Sequence, residues 1–202
     1  MASYFAGLGL MLSLIVAIGA QNLFVLRQGL RREHVALVVA ICAVSDAALT
    51  IAGVAGMGAI VSSNPALVTG VRWAGAAFLV VYGLMAARRA WRPKALKSDA
   101  EAGSAAKASA ASVALTCLAL TYLNPHVYLD TVFLMGTVAS NHAAPWVFTV
   151  GAITASVVWF TALGYGARAL APVLATPRAW RILDAIIAVV MVVLAVTLVL
   201  GV

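Results

Sequence analysis

The chain has 202 residues, 64% of them apolar and 9% charged, and a net charge of +7. A soluble globular domain has about 45–50% apolar and about 25% charged residues, so a water-facing fold is excluded and the core must meet lipid. Cys42 and Cys117 both lie inside apolar runs, which argues against a disulfide framework or a metal cluster.

A hydrocarbon core of roughly 30 Å takes about 20 helical residues to cross. Six runs meet that length: residues 4–26, 35–61, 66–87, 112–139, 143–167 and 182–202. The expected fold is an all-α integral membrane protein, one domain over residues 1–202 with six transmembrane helices. The first run has a small residue, Ala20, at a possible cleavage point. It lacks a basic leading segment and is too long for a signal-peptide core, so it is read as a span.

Of the 13 Lys and Arg residues, twelve follow the first, third or fifth run, and Arg72 alone lies on the other side. Basic loops face the cytoplasm, so both termini are expected outside. The positive charge then faces anionic lipid, and no nucleic acid is needed to account for it. Residues 93–111, rich in Ala, Ser and Lys, read as a flexible cytoplasmic linker between repeats at about 1–92 and 112–202. Three spans per half make any repeat inverted, an architecture of many secondary transporters. Setting Asn22 against Asn124 also aligns Ala17 with Ala119 and Val25 with Val127.

Asp46 lies in the second run, roughly 16 Å deep at 1.5 Å per residue. Cys42, Asp46, Thr50 and Gly53 share one helical face, a small polar stripe that belongs against other helices or a water-filled cavity. A carboxylate at the centre of a span costs about 2.5–3.5 kcal/mol even on insertion scales, so a span that keeps one normally uses it. In the fourth run, Tyr122, His126 and Asp130 are spaced by four and would stack on one face of a regular helix. Pro125 should kink or break that helix near Thr121, and the freed carbonyls with Asn124 could hold a cation. Gln21 and Asn22 interrupt the first run near its cytoplasmic end, where helix association and a solute pathway are both open readings. Asp184 follows Arg181 by three residues and reads as half of a surface ion pair. His34 and His142 read as interfacial. No metal-ligand spacing, nucleophile arrangement or phosphate loop is visible, so neither a cofactor nor an enzyme is expected.

The segment Gly19-Ala20-Gln21-Asn22-Leu23-Phe24-Val25-Leu26-Arg27-Gln28-Gly29 resembles the opening signature of the bacterial lysine/arginine exporters of the LysE type. Ser45-Asp46-Ala47-Ala48-Leu49, residues 72–83, Leu123-Asn124-Pro125-His126-Val127-Tyr128-Leu129-Asp130, Ser156-Val157-Val158-Trp159-Phe160 and Trp180-Arg181-Ile182 follow in family order. The resemblance implies export of L-lysine and L-arginine through the bacterial inner membrane. Asp46 and Asp130 stand for the family's two membrane acids; Gln21, Asn22, Asn124 and Pro125 stand for its polar and helix-breaking positions. Two departures matter. Ala20 stands where the family usually has proline, so a softer break is expected in the first span. Asp184 stands where asparagine is common.

The expected partners are a basic amino acid, protons and lipid, with self-association left open. Asp46 would alternate between the substrate's cation and a proton, because burial disfavours a carboxyl's charged form. Asp130 would hold the second cationic group or help select the substrate on the outer side. His126 is the one histidine placed to shuttle protons, although a lone histidine beside a kink more often serves as a hydrogen-bond donor. The rival within transport is an exporter of neutral amino acids or of a divalent cation. A rival of another class is a structural membrane subunit.

Overall fold

Backbone in lipid must satisfy its own N–H and C=O groups, which leaves helices and closed barrels. The computed structural model describes residues 1–16, 19–57, 65–91, 108–170 and 176–200, and all regular structure among them is helical. The first run forms α1 (Ala2–Ile15) and α2 (Ala20–Arg31), and the second forms α3 (Val35–Ala52), continued by a π-helical turn over Gly53–Met57. Helix α4 (Pro65–Trp91) covers the third run. The fourth run is divided into α5 (Ala110–Tyr122), a short turn α6 (Pro125–Val127), a π-helical segment Tyr128–Leu134 and α7 (Met135–Ser140). Helices α8 (Pro145–Gly166) and α9 (Pro177–Leu200) complete the chain. Among the described residues, three helices are long and apolar enough to cross a membrane, or four if the α1–α2 pair counts as one span.

Both broken runs differ from their sequence reading. Ala20 does not soften the first break: α1 and α2 meet at 84°. Gly19 is extended (φ −106°, ψ 178°) and caps α2. Ala20 therefore occupies the first helical position, where proline is preferred because its missing N–H would be unpaired anyway. The second break falls at Leu123–Asn124 rather than near Thr121. Thr121 stays in α5 with its hydroxyl donating to the Cys117 carbonyl (3.0 Å). The residue before a proline is pushed out of the helical region, so Asn124 is extended and caps the new helix with Pro125 at its start. Matching the two helix starts sets Gly19-Ala20 against Asn124-Pro125, three residues away from the register that pairs the asparagines.

The linker reading falls largely outside the described residues, as do residues 58–61 and 201–202 of the second and sixth runs. At the described end of the linker, Ser109 caps α5 by accepting from the Ser112 N–H (3.1 Å), and a His34 ring nitrogen meets the Ala108 carbonyl (2.9 Å). His142 packs on Phe148 (5.0 Å between centroids).

Helix α4 packs along α9, α1 along α8, and α3 lies between α8 and α5. The thiols of Cys42 and Cys117 meet at 3.5 Å across the α3–α5 seam, both fully buried. Glycine permits the closest approaches. A Cβ on Gly53 would strike the Val132 carbonyl, and one on Gly136 the Gly53 carbonyl, so the two π-helical segments touch backbone to backbone. A larger core surrounds Phe24, Tyr82, Phe160 and Met191. A smaller one gathers Met11, Met135 and Phe148 beneath α1, α7 and α8.

Candidate functional site

The two breaks face each other across a cavity of about 290 Å³. Each break exposes a helix start, and each start carries an amide: Gln21 and Asn22 on α2, Asn124 at the head of α6. His126, Asp130 and Asp46 line the same cavity, so the six polar residues singled out in the sequence share one space. Pro125 is buried behind them. The apolar wall includes Met11, Phe78, Leu79, Phe160 and Leu194.

Asp46 is only 5% exposed, and the Ser156 hydroxyl donates to its Oδ2 at 2.7 Å. That bond crosses from α3 to α8. The small polar stripe behaves as expected, since Cys42, Asp46, Thr50 and Gly53 are all buried. Asp130 sits in the π-helical segment, partly exposed, and His126 is exposed. The deep acid is thus walled in by helices, whereas the second acid stands toward the open end.

The amides are held differently. Asn22 bridges the first break: its Nδ2 donates to the Ile15 carbonyl (2.6 Å), one of the carbonyls that the bend frees, and the Trp159 indole donates to its Oδ1 (3.3 Å). Gln21 reaches toward the Cys42 thiol, and its buried Nε2 completes no hydrogen bond among the described residues. Asn124, which also lines the cavity, accepts the His126 backbone N–H on its Oδ1 (3.2 Å).

The face expected from Tyr122, His126 and Asp130 is corrected in part. The break rotates Tyr122 out of register, so only His126 and Asp130 line the cavity. One carbonyl freed there, that of Tyr122, is occupied by the Tyr128 hydroxyl (2.9 Å). Asp184 is also corrected. It forms no surface pair with Arg181; it is 5% exposed and meets Arg27 (2.9 Å) and Arg89 (3.3 Å).

Sequence reasoning did not single out Ser156 or Trp159 for a role. Both lie on α8, and with Phe160 they form one face that fixes Asp46, fixes Asn22 and walls the cavity. The available signals were their place in the Ser156–Phe160 segment that carries the family resemblance and a serine one turn from a tryptophan inside a long apolar helix.

An apolar helical bundle whose polar side chains converge on one internal cavity defines a membrane protein of the solute-handling class. The chain belongs to the LysE type translocator family, whose sequence profile matches residues 12–201. Proteins named "Putative amino-acid transporter" in Mycobacterium bovis and in two strains of Mycobacterium tuberculosis are 52% identical to it over 183 residues, 90% of this chain and 89% of each relative. No solved structure gave a significant match. Family and relatives together describe a transporter, not an enzyme.

Proposed function

We propose that this translocator exports cationic L-amino acids, lysine and arginine, from the bacterial cytoplasm in exchange for protons. The observation that carries the reading is that Asp46 and Asp130 line one cavity, one deep and one toward its open end. A dibasic amino acid is a long solute with a cation at each end and a carboxylate beside one of them. Two separated acids suit that solute better than a metal ion, which wants clustered ligands. The amide donors of Gln21 and Asn124 suit its carboxylate.

The energetics favour exchange over leak. Moving one positive charge out of a negative interior costs about 2.3 kcal/mol per 100 mV, roughly a fifty-fold concentration gradient. Returning one proton per cation cancels the electrical cost and adds the pH gradient. In this reading Asp46 binds the substrate's cation or a proton, never both, so each trip of the empty carrier returns a proton. Ser156 holds the carboxylate in place for both. His126 and Asp130 receive the second cationic group near the outer side.

The proposed architecture is six membrane crossings in two inverted halves, tilting against each other to expose the cavity alternately. It is supported by a break in the first run of each half, with an extended cap at Gly19 and at Asn124. The basic loops place both termini outside in this reading.

Uptake of radiolabelled lysine and arginine into inside-out vesicles, with and without a pH gradient, tests the reading. Uptake should rise with an acidic lumen, and Asp46→Asn should abolish it at normal protein level. Undiminished transport by that variant would remove Asp46 from the exchange. Transport of neutral amino acids alone would remove the cationic substrate.

A further inference from the structure

Three columns of side chains descend from the cavity toward the basic end of the molecule, which is the cytoplasmic end in the orientation proposed above. On α2, Ala20 is followed by Phe24 and Arg27; on α4, Phe78 by Tyr82 and Arg89; on α9, read backwards, Leu194 by Met191 and Asp184. The columns meet in two layers. Phe24 packs edge-on against Tyr82 (6.3 Å), and Phe78, on the cavity wall, stacks on Tyr82 (6.2 Å), so a layer of rings adjoins the cavity. Below them Arg27 Nη1 and Arg89 Nε both reach the same oxygen of Asp184, Oδ1, at 2.9 and 3.3 Å. Arg89 also lies over the Tyr82 ring at 5.6 Å, joining the two layers.

We infer that the Arg27–Asp184–Arg89 cluster, with the Phe24–Tyr82 layer above it, is the gate that shuts the cavity from the cytoplasm. Four features argue for a gate rather than a permanent staple. The three charges come from three different helices that no short loop joins, so parting them needs no local unfolding. The cluster is under-satisfied: among the described residues Arg89 Nη2 is buried without a hydrogen bond, and two guanidiniums share one carboxylate oxygen. A half-satisfied buried network is not at a deep minimum, because each unpaired polar group is costly in a low-dielectric setting. The Arg89 arm is 34% exposed, against 8% for the Arg27 arm, so water can reach one side of the cluster and loosen it. Finally, among the described residues no such double layer is seen at the far end of the cavity, where His126 is exposed. In this inference the described residues show the carrier shut at its basic end, as it would be after delivering its cargo outward.

Alternating access then has a defined step. The Asp184 contacts break, α9 parts from α2 and α4 as the halves tilt, and the cavity opens past the ring layer to the cytoplasm. The device holds for any cargo of this transporter and does not depend on the cationic-substrate reading.

The test labels a cysteine in the cavity with a membrane-impermeant thiol reagent from each face. The reporter is Ala119→Cys on the cavity wall, with Cys42 and Cys117 replaced by alanine. In this background Asp184→Asn should raise labelling from the basic face about ten-fold, the shift expected when a minor state gains weight. Labelling from the opposite face should fall. Arg89→Gln, which keeps the Arg27–Asp184 pair and so the fold, should move both readings the same way by less, and Asp184→Glu should restore the parent pattern. If neither Asp184→Asn nor Arg89→Gln changes labelling, or if both faces rise together, the cluster is a staple and the gate is refuted.

Discussion

Ser156 and Asp46 show what one hydroxyl can decide. The bond between them is fully buried and spans 110 positions of sequence. A hydrogen bond to a charged group is worth about 1.5–3 kcal/mol, and about 1.4 kcal/mol is ten-fold in affinity. Ser156→Ala should therefore raise the apparent KM for lysine and arginine about ten-fold or more, with protein level in the membrane unchanged; Ser156→Thr should recover most of it. A lower protein level with an unchanged KM would mean that the bond only holds helices together. The same separation explains which residues were legible in the sequence. Asp46, Gln21, Asn22, Asn124, His126 and Asp130 each stand out alone, because a polar group in an apolar run demands a reason. Asp184 stood near a basic residue, Arg181, and that neighbour misled. Its real partners, Arg27 and Arg89, are brought by other helices, with Arg89 95 positions away. A partner chosen by packing leaves no trace in local spacing.

At the scale of elements, the breaks matter more than the helices. Proline announced the second break, and the extended Asn124 moved it a few residues from where the helical hydrogen-bond pattern alone would put it. The first break had no proline to announce it. It survives because Gly19 adopts an extended cap and because Asn22, which accepts from the Trp159 indole, donates to the freed Ile15 carbonyl. Ala20→Pro should be accepted there, since Gly19 is already extended and Ala20 heads the helix. A proline that fits the native backbone stabilises by about 0.4–1 kcal/mol through the unfolded chain. A thermal scan in detergent should show a higher midpoint with transport retained; a lower midpoint would mean that the helix start needs the Ala20 N–H. Pro125→Ala should act differently. It permits the fourth run to straighten, so turnover should slow more than substrate affinity falls, and an unchanged rate would show that the bend has no part in the cycle.

For the whole molecule, the seam between α3 and α5 joins one proposed half to the other, and Cys42 and Cys117 face each other across it at 3.5 Å. The sequence placed each thiol in an apolar run and gave no reason to pair them; only the packing of α3 on α5 brings them together. Their burial keeps water-borne oxidants away, so an oxidant that partitions into lipid is needed to join them. If the halves tilt against each other during transport, that seam must shear, and a covalent bond across it should stop the cycle. Treating vesicles with copper–phenanthroline should therefore inhibit transport of the wild-type protein, and a thiol reductant should restore it. Cys42→Ala should be resistant, which separates the bond from general oxidative damage. If the bond forms in nearly every molecule and transport continues unchanged, α3 and α5 move as one body. The moving boundary would then lie elsewhere, with the α4–α9 pair swinging against the rest of the bundle.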